Sequence, residues 1–259
     1  MDGNVRLDKN GTVAELVLDR PAKHNALTPH MYDQIKQACE QINADADIHV
    51  CIVRGEGPKA FCAGSDIKAL ENYANFWEWR NRNDYIASLR SVRKPLIAAV
   101  KGWALGGGLE IALACDVRVV SPNAVFSAPE ITMGWNGAGG AAQHLTRMAG
   151  YGQAMRYLLT GERFGFAVAE KMNMVQWEAP EGGELELARQ IAQQIAAHST
   201  VASQAVKAAV RSAMNTSVDM GLQIENELMS LCFAKIDLDK QTAINATSRL
   251  DMGKDGANG

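Results

Sequence analysis

The chain has 259 residues, enough to bury a large core in one domain with a helical appendage, and its 47% hydrophobic, 21% charged composition is ordinary for a globular protein. Its 26 Lys and Arg against 29 Asp and Glu leave a net charge of −3, which excludes a global basic field for nucleic acid; an anionic substrate has to be caught locally. No apolar run approaches the ~18 residues of a membrane span and the Met1-Asp2-Gly3-Asn4 start lacks a signal-peptide pattern, so a cytosolic protein without membrane partners is expected.

Val5 to Asp8 and Val13 to Leu18 read as strands joined by the turn Lys9-Asn10-Gly11, a hairpin. Arg20-Pro21 ends it. Thr28-Pro29 supplies a cap and first helical position, and Met31, Ile35, Ala38, Cys39 and Ile42 follow at helical spacing. Val50 to Val53 is a continuous apolar run and reads as a buried strand, completing a β-α-β unit. Lys59 to Lys68 mixes small residues with a helix start at Asp66. The crossover Leu70 to Arg93 carries Tyr73, Phe76, Trp77, Trp79 and Tyr85, aromatic residues that pack a helix face or line a pocket for a bulky apolar group.

The stretch Lys94 to Gly140 organises the rest. Pro95 to Val100 reads as a buried strand, Gly106-Gly107-Gly108 as a strand-to-helix turn, and Leu109 to Ala114 as a packed helix. Glycines there let backbone approach a ligand, and amides at a helix N-terminus favour an anion or a developing oxyanion. Glu110 lies in the first helical turn. A helix of about ten residues runs outward roughly 15 Å, and a strand over Val117 to Ser121 returns roughly 17 Å. Glu130, closing Val125 to Pro129, is thereby placed near Glu110. Two carboxylates facing one oxyanion site can add or remove water beside a carbonyl, one as base and one as proton donor.

After Gly140 the pattern is helical, at His144 to Met148, Gln153 to Thr160, Ala167 to Lys171, Leu185 to Ala197, Val201 to Met214 and Met220 to Phe233, with fraying expected over Gly253 to Gly259. A core over residues 1–199 and a helical region over 200–259 is the expected division. Gly137 to Ala142 matches GxGxxA without the surrounding dinucleotide unit, and Ser65 to Lys68 matches SxxK without SDN or KTG, so neither directs the function. Cys39, Cys51, Cys62, Cys115 and Cys232 are scattered, in mostly apolar company, and read as reduced thiols rather than a disulfide or zinc set; no metal site is expected.

Arg20-Pro21 through Asn25-Ala26-Leu27, Lys59 to Lys68, Lys94-Pro95 through Glu110 and Ala114-Cys115-Asp116, Phe126 through Glu130, and Gly137 to Gly140 stand in an order that resembles the crotonase superfamily, most closely its enoyl-CoA hydratase and isomerase branch. The resemblance covers roughly residues 5 to 200. It implies an α/β fold of spiral β-β-α turns with a helical C-terminal region for oligomerisation and site cover, assembled as a homotrimer or homohexamer. It also implies an acyl-CoA thioester substrate and no metal or redox cofactor, coenzyme A being part of the substrate. The Ser65 and Gly107 amides fall at the oxyanion hole and Glu110 and Glu130 at the acid/base positions. Ala26, Ala63, Asp66 and Ile67 fall where relatives contact the CoA moiety, and Lys23 and Lys59 are candidates for its phosphates.

Both glutamates together imply syn hydration of a 2-enoyl-CoA. An isomerase, a CoA-thioester hydrolase or ring-cleaving homologue, and a non-enzymatic crotonase-like binding protein are the alternatives. The loop Met133 to Gly140 departs from the family pattern, being one residue shorter, without its proline, and with Trp135. That Trp, with Trp77 of the crossover, is the candidate acyl pocket and points to a cyclic, branched or aromatic group. The region beyond Phe233 lacks the family's endings.

Overall fold

A computed structural model describes residues 3–70 and 73–255, with side chains as far as Gln241. The chain divides into two compact units, Met1–Ala197 and His198–Gly259.

The first unit opens on the hairpin of β1 (Asn4–Asn10) and β2 (Val13–Asp19), then α1 (Pro29–Ala44) leads to β3 (Val50–Gly55). Thr28 caps α1 by accepting from the Met31 amide, and Pro29 fills its first turn, where a missing N–H is harmless. After β4 (Ala60–Cys62), the crossover forms three short helices, α2 (Ile67–Leu70), α3 (Phe76–Arg80) and α4 (Tyr85–Ser91). The central stretch follows as β5 (Leu96–Val100), β6 (Trp103–Leu105), α5 (Gly107–Ala114), β7 (Val117–Val120) and β8 (Val125–Ser127), with a 3-10 turn over Pro129–Met133. The unit closes with α6 (Ala141–Ala149), α7 (Tyr151–Thr160), β9 (Phe164–Gly165), α8 (Phe166–Lys171), β10 (Trp177–Glu178) and α9 (Glu184–Ala196).

Two sheets result. One has six strands in the order β1-β2-β3-β5-β7-β10, parallel except for β1; the other has four in the order β4-β6-β8-β9, parallel except for β9. The continuous apolar runs of β3 and β5 follow from burial on both faces. Cys51, Val53, Leu96, Ala98 and Val100 join the main core, while the alternate residues Val50, Ile52, Ile97 and Ala99 pack with Ala188, Ile191 and Ala192 of α9.

Arg118 on β7, 2% exposed, holds the far end of α5: its Nη1 donates to the Ala112 and Cys115 carbonyls at 3.2 and 3.1 Å, and its Nη2 to Gln176 Oε1 at 2.7 Å. Those carbonyls belong to the last turn of α5, which has no helical donors for them. Arg118→Met is expected to lower stability by about 3–5 kcal/mol, since several buried acceptors lose a charged donor at roughly 1–3 kcal/mol each. Urea unfolding monitored by circular dichroism checks this.

In the second unit α10 (Thr200–Ala213) packs against α11 (Val218–Asp255). The helix α11 runs well past Phe233, so Gly253 to Asp255 are helical, and the rest of the fraying expected there falls on residues outside the described set. Among the described residues, no helix is long and apolar enough to cross a membrane.

Candidate functional site

The strand β6 is followed by Gly106, whose backbone at φ 53° and ψ −121° is one that glycine adopts without steric penalty. Its N–H donates to the Ser127 carbonyl at 2.8 Å and its carbonyl accepts from the Glu110 amide at 3.0 Å, so sheet and helix meet at this residue. The Gly107 N–H, in the first turn of α5, has no helical acceptor. Facing it is the segment after β4. There Leu27 N–H donates to the Gly64 carbonyl and Asp66 N–H to the Leu27 carbonyl, both at 2.8 Å. Amides alternate in direction along an extended segment, so the Ser65 N–H points away from Leu27. Gly64 brings the two pieces into contact: a Cβ placed on it would lie 3.1 Å from the Gly107 nitrogen. The segment at Gly64 and Ser65 thus packs against the N-terminus of α5, where partial positive charge gathers.

Glu110 sits one turn into α5, 4% exposed, with Oε1 accepting from the Gly139 amide at 2.7 Å and the Ala141 amide at 3.5 Å. Glu130 returns to it because β8 pairs with β6, Ser127 opposite Leu105, which delivers the Pro129–Met133 turn beside Gly106. A Cβ on Gly106 would stand 2.7 Å from Glu130 Oε1. One on Gly137 would stand 2.8 Å from Glu110 Oε1 and 3.8 Å from Glu130 Cδ. The carboxyl groups therefore face one gap, with Gly137 at its edge. Burial pushes the Glu110 carboxyl up to about 7, opposed by the Gly139 N–H bond and reinforced by the charge of Glu130. Burial also raises Glu130, whose Oε2 is buried without a hydrogen-bond partner among the described residues. A pair so placed resists ionising together, and Glu130 lies beside Gly106 at the N-terminus of α5.

The residues matched to CoA contacts fall along one seam. Arg20 Nη1 donates to Asp66 Oδ2 at 2.7 Å and to the Ala26 carbonyl at 3.2 Å, while the Ala63 amide donates to the His24 carbonyl at 2.9 Å. The Arg20 guanidinium holds the Asp66 carboxyl below its usual range. Ile67 is 49% exposed at the end of the seam. Lys23 and Lys59 are exposed; Lys59 lines a cleft with His24, Pro58, Gly102, Trp103 and Asn123. Trp135, 45% exposed, is tied to Glu130 by its amide, which donates to the Glu130 carbonyl at 3.3 Å. Trp77 is 73% exposed on α3.

Three residues acquire site roles that the sequence did not single out. Asn25, fully buried with φ 57°, accepts from the Arg20 amide at 3.0 Å and donates to the Ala60 carbonyl at 2.9 Å, fixing the loop that carries Ala26 and Leu27. Asn tolerates that left-handed backbone better than most residues, the one local signal available. Tyr32 and Tyr85 stack at 4.8 Å between ring centroids, and Tyr32 Oη donates to Ser65 Oγ at 2.8 Å. Cys62, next to the site, is fully buried and its thiol is pushed up to about 12 by burial; it donates to the Asn25 carbonyl at 3.1 Å. A neutral thiol of that kind is a packing group. Among the described residues no three His, Cys, Asp or Glu side chains are grouped to hold a metal ion.

Comparison with known proteins identifies the family. The family model for enoyl-CoA hydratase/isomerase matches residues 8–246. A short-chain-enoyl-CoA hydratase of Clostridium acetobutylicum is 33% identical over 238 residues, 90% of this chain and 91% of its own length. A crotonyl-CoA hydratase of Syntrophomonas wolfei is 33% identical over the same shares. Among solved structures, an enoyl-CoA hydratase subunit from Geobacillus kaustophilus superposes with a TM-score of 0.85 at 32% identity, covering 92% of this chain and 93% of its own. By sequence and by fold alike, the chain belongs to the enoyl-CoA hydratase/isomerase family.

Proposed function

We propose that the chain adds water across the C2=C3 bond of a 2-enoyl-CoA thioester, and removes it in the reverse direction, using Glu110, Glu130 and the Ser65 and Gly107 amides. The observation that carries the proposal is the gap at Gly137, faced by both carboxyl groups and adjoining the amides of the α5 N-terminus. One carboxylate takes a proton from water as its oxygen attacks C3. The other delivers a proton to C2, and the two amides stabilise the enolate oxygen in between. The raised carboxyl of Glu110 suits this exchange, since a group near 7 gives and takes a proton at neutral pH with little penalty. The names of the Clostridium and Syntrophomonas relatives support hydration over isomerisation or thioester hydrolysis.

The seam from Ala26 and Ala63 to Asp66 and Ile67 receives the CoA arm, with Lys23 and Lys59 near its phosphates. Trp135 borders the acyl end and narrows the choice of acyl group. Assembly as a trimer or a pair of trimers is supported by apolar side chains left exposed on α10 and α11, Val206, Val210, Leu222, Leu231 and Phe233 among them.

Incubation with linear, branched, cyclic and aromatic 2-enoyl-CoA thioesters in oxygen-18 water, read by mass spectrometry, tests the proposal. A 3-hydroxyacyl-CoA carrying one label is the expected product. An unlabelled positional isomer, free CoA or a cleaved carbon skeleton would replace hydration with the corresponding reaction.

A further inference from the structure

Tyr85 opens α4, fixed there by Asp84, whose Oδ1 accepts from the Ile86 and Ala87 amides at 2.9 and 3.0 Å. Its side chain is aimed at the α5 N-terminus: the hydroxyl oxygen lies 2.2 Å from where a Cβ on Gly107 would be. The absence of a side chain at Gly107 thus makes room for the phenol oxygen beside the very residue whose amide heads α5. The ring, 7% exposed, is held against Tyr32, itself 1% exposed. Packing alone would be served by phenylalanine at either position, so the hydroxyls call for a reason of their own.

Counting hydrogens supplies one. Each hydroxyl has a single proton to donate. Tyr32 Oη donates to Ser65 Oγ at 2.8 Å, which leaves the Ser65 hydrogen for another acceptor. The Tyr85 hydroxyl, on the ring stacked at 4.8 Å against Tyr32, is the candidate for that acceptor. In that order the hydrogen of Tyr85 is not used within the chain, and its oxygen stands beside Gly107, 2.2 Å from where a Cβ would be. Burial raises both phenols, Tyr32 to about 12 and Tyr85 well above its ordinary value, so both remain protonated donors.

We infer that the Tyr85 hydroxyl is a third hydrogen-bond donor to the thioester oxygen, ordered by the Tyr32–Ser65–Tyr85 chain and joining the two backbone amides when the enolate forms. The inference rests on the hydratase reading for the identity of that oxygen. It also gives the Ser65 side chain a role separate from its backbone amide, that of turning the Tyr85 proton outward.

The test combines turnover with a spectrum that does not depend on turnover. A 3-aryl-acryloyl-CoA absorbs at longer wavelength when its thioester carbonyl is polarised, so its red shift on binding reports the donors directly. Tyr85→Phe, which keeps the ring, is expected to lower kcat about 10- to 100-fold, to change KM less than about 3-fold, and to reduce the red shift. Ser65→Ala keeps the amide and disorders the chain, so it is expected to produce a smaller loss of the same kind, with little further loss when combined with Tyr85→Phe. An unchanged kcat and red shift in Tyr85→Phe overturns the inference, as does a loss expressed wholly in KM or in melting temperature. The two readings fail separately. If the wild-type protein polarises the probe through Tyr85 but forms no labelled 3-hydroxyacyl-CoA, hydration falls and the donor stands; if hydration proceeds with the red shift indifferent to Tyr85, the donor alone falls.

Discussion

Glu110→Gln is expected to lower hydration by about 10²- to 10⁴-fold, the range in which a positioned acid or base contributes, and at the same time to make the protein more resistant to unfolding above neutral pH. Both effects come from one carboxyl. Gln can still accept from the Gly139 amide, so the fold around it is kept, but it cannot carry a proton to or from substrate. In the folded chain the Glu110 carboxyl titrates near 7 and in the unfolded chain near its ordinary value of 4.5. Between those two values the folded state binds the extra proton, so wild-type stability falls as pH rises through that window, and the full penalty is present above about 7. Its size is about 3 kcal/mol, as an order of magnitude. The variant carries no such penalty. Its melting temperature is therefore expected to gain on the wild type between pH 5 and pH 8, while turnover of the preferred enoyl-CoA collapses at every pH. Parallel melting curves at the two pH values would mean that Glu110 is not a buried, proton-holding group.

Gly137→Ala is expected to reduce kcat about 100-fold, the scale of a displacement of about 1 Å in a reacting geometry, with little effect on KM. The methyl group would stand 2.8 Å from Glu110 Oε1 and 3.8 Å from Glu130 Cδ, in the gap where water has to be held between the carboxyl groups. Gly137 does not have a positive φ, so alanine introduces no backbone strain there and the effect is that of the lost space. Gly152→Ala is the matching control: it too lacks a positive φ, and a Cβ at that site on α7 meets nothing within 4 Å. Steady-state kinetics on the two variants, with far-ultraviolet circular dichroism to confirm folding, separates them. Equal activities would show that the attacking water lies elsewhere.

Much of the scaffold is legible in the sequence because its signals are local. Thr28-Pro29 announces α1, and the runs at Val50 to Val53 and Pro95 to Val100 announce strands buried on both faces. The return of Glu130 to Glu110 follows from element lengths alone, and the structure places both beside Gly137. What the sequence conceals is set by contacts distant along the chain. Tyr85 reads as one more aromatic residue of the crossover, because nothing near it in sequence reveals that α1 brings Tyr32 alongside and that Gly107 leaves room for its hydroxyl. The two-residue strands β9 and β10 carry no period to detect, and exist because β8 and β7 offer them an edge. Trp77 likewise shows its aromatic character in the sequence but not its 73% exposure on the short helix that carries it.

The donors proposed for the oxyanion are, with one exception, main-chain groups. Their placement depends on Gly64, Gly106 and the start of α5, and hardly at all on which side chains surround them. Natural variation can therefore redraw the acyl end at Trp135 and Asn136 while the charge-stabilising apparatus passes unchanged from one descendant to the next. Gly137 and Gly139 have no such latitude, because any side chain there meets the carboxylates. A lineage built on this frame is free to acquire new substrates through a window only a few residues wide, and is held to its chemistry on either side of it.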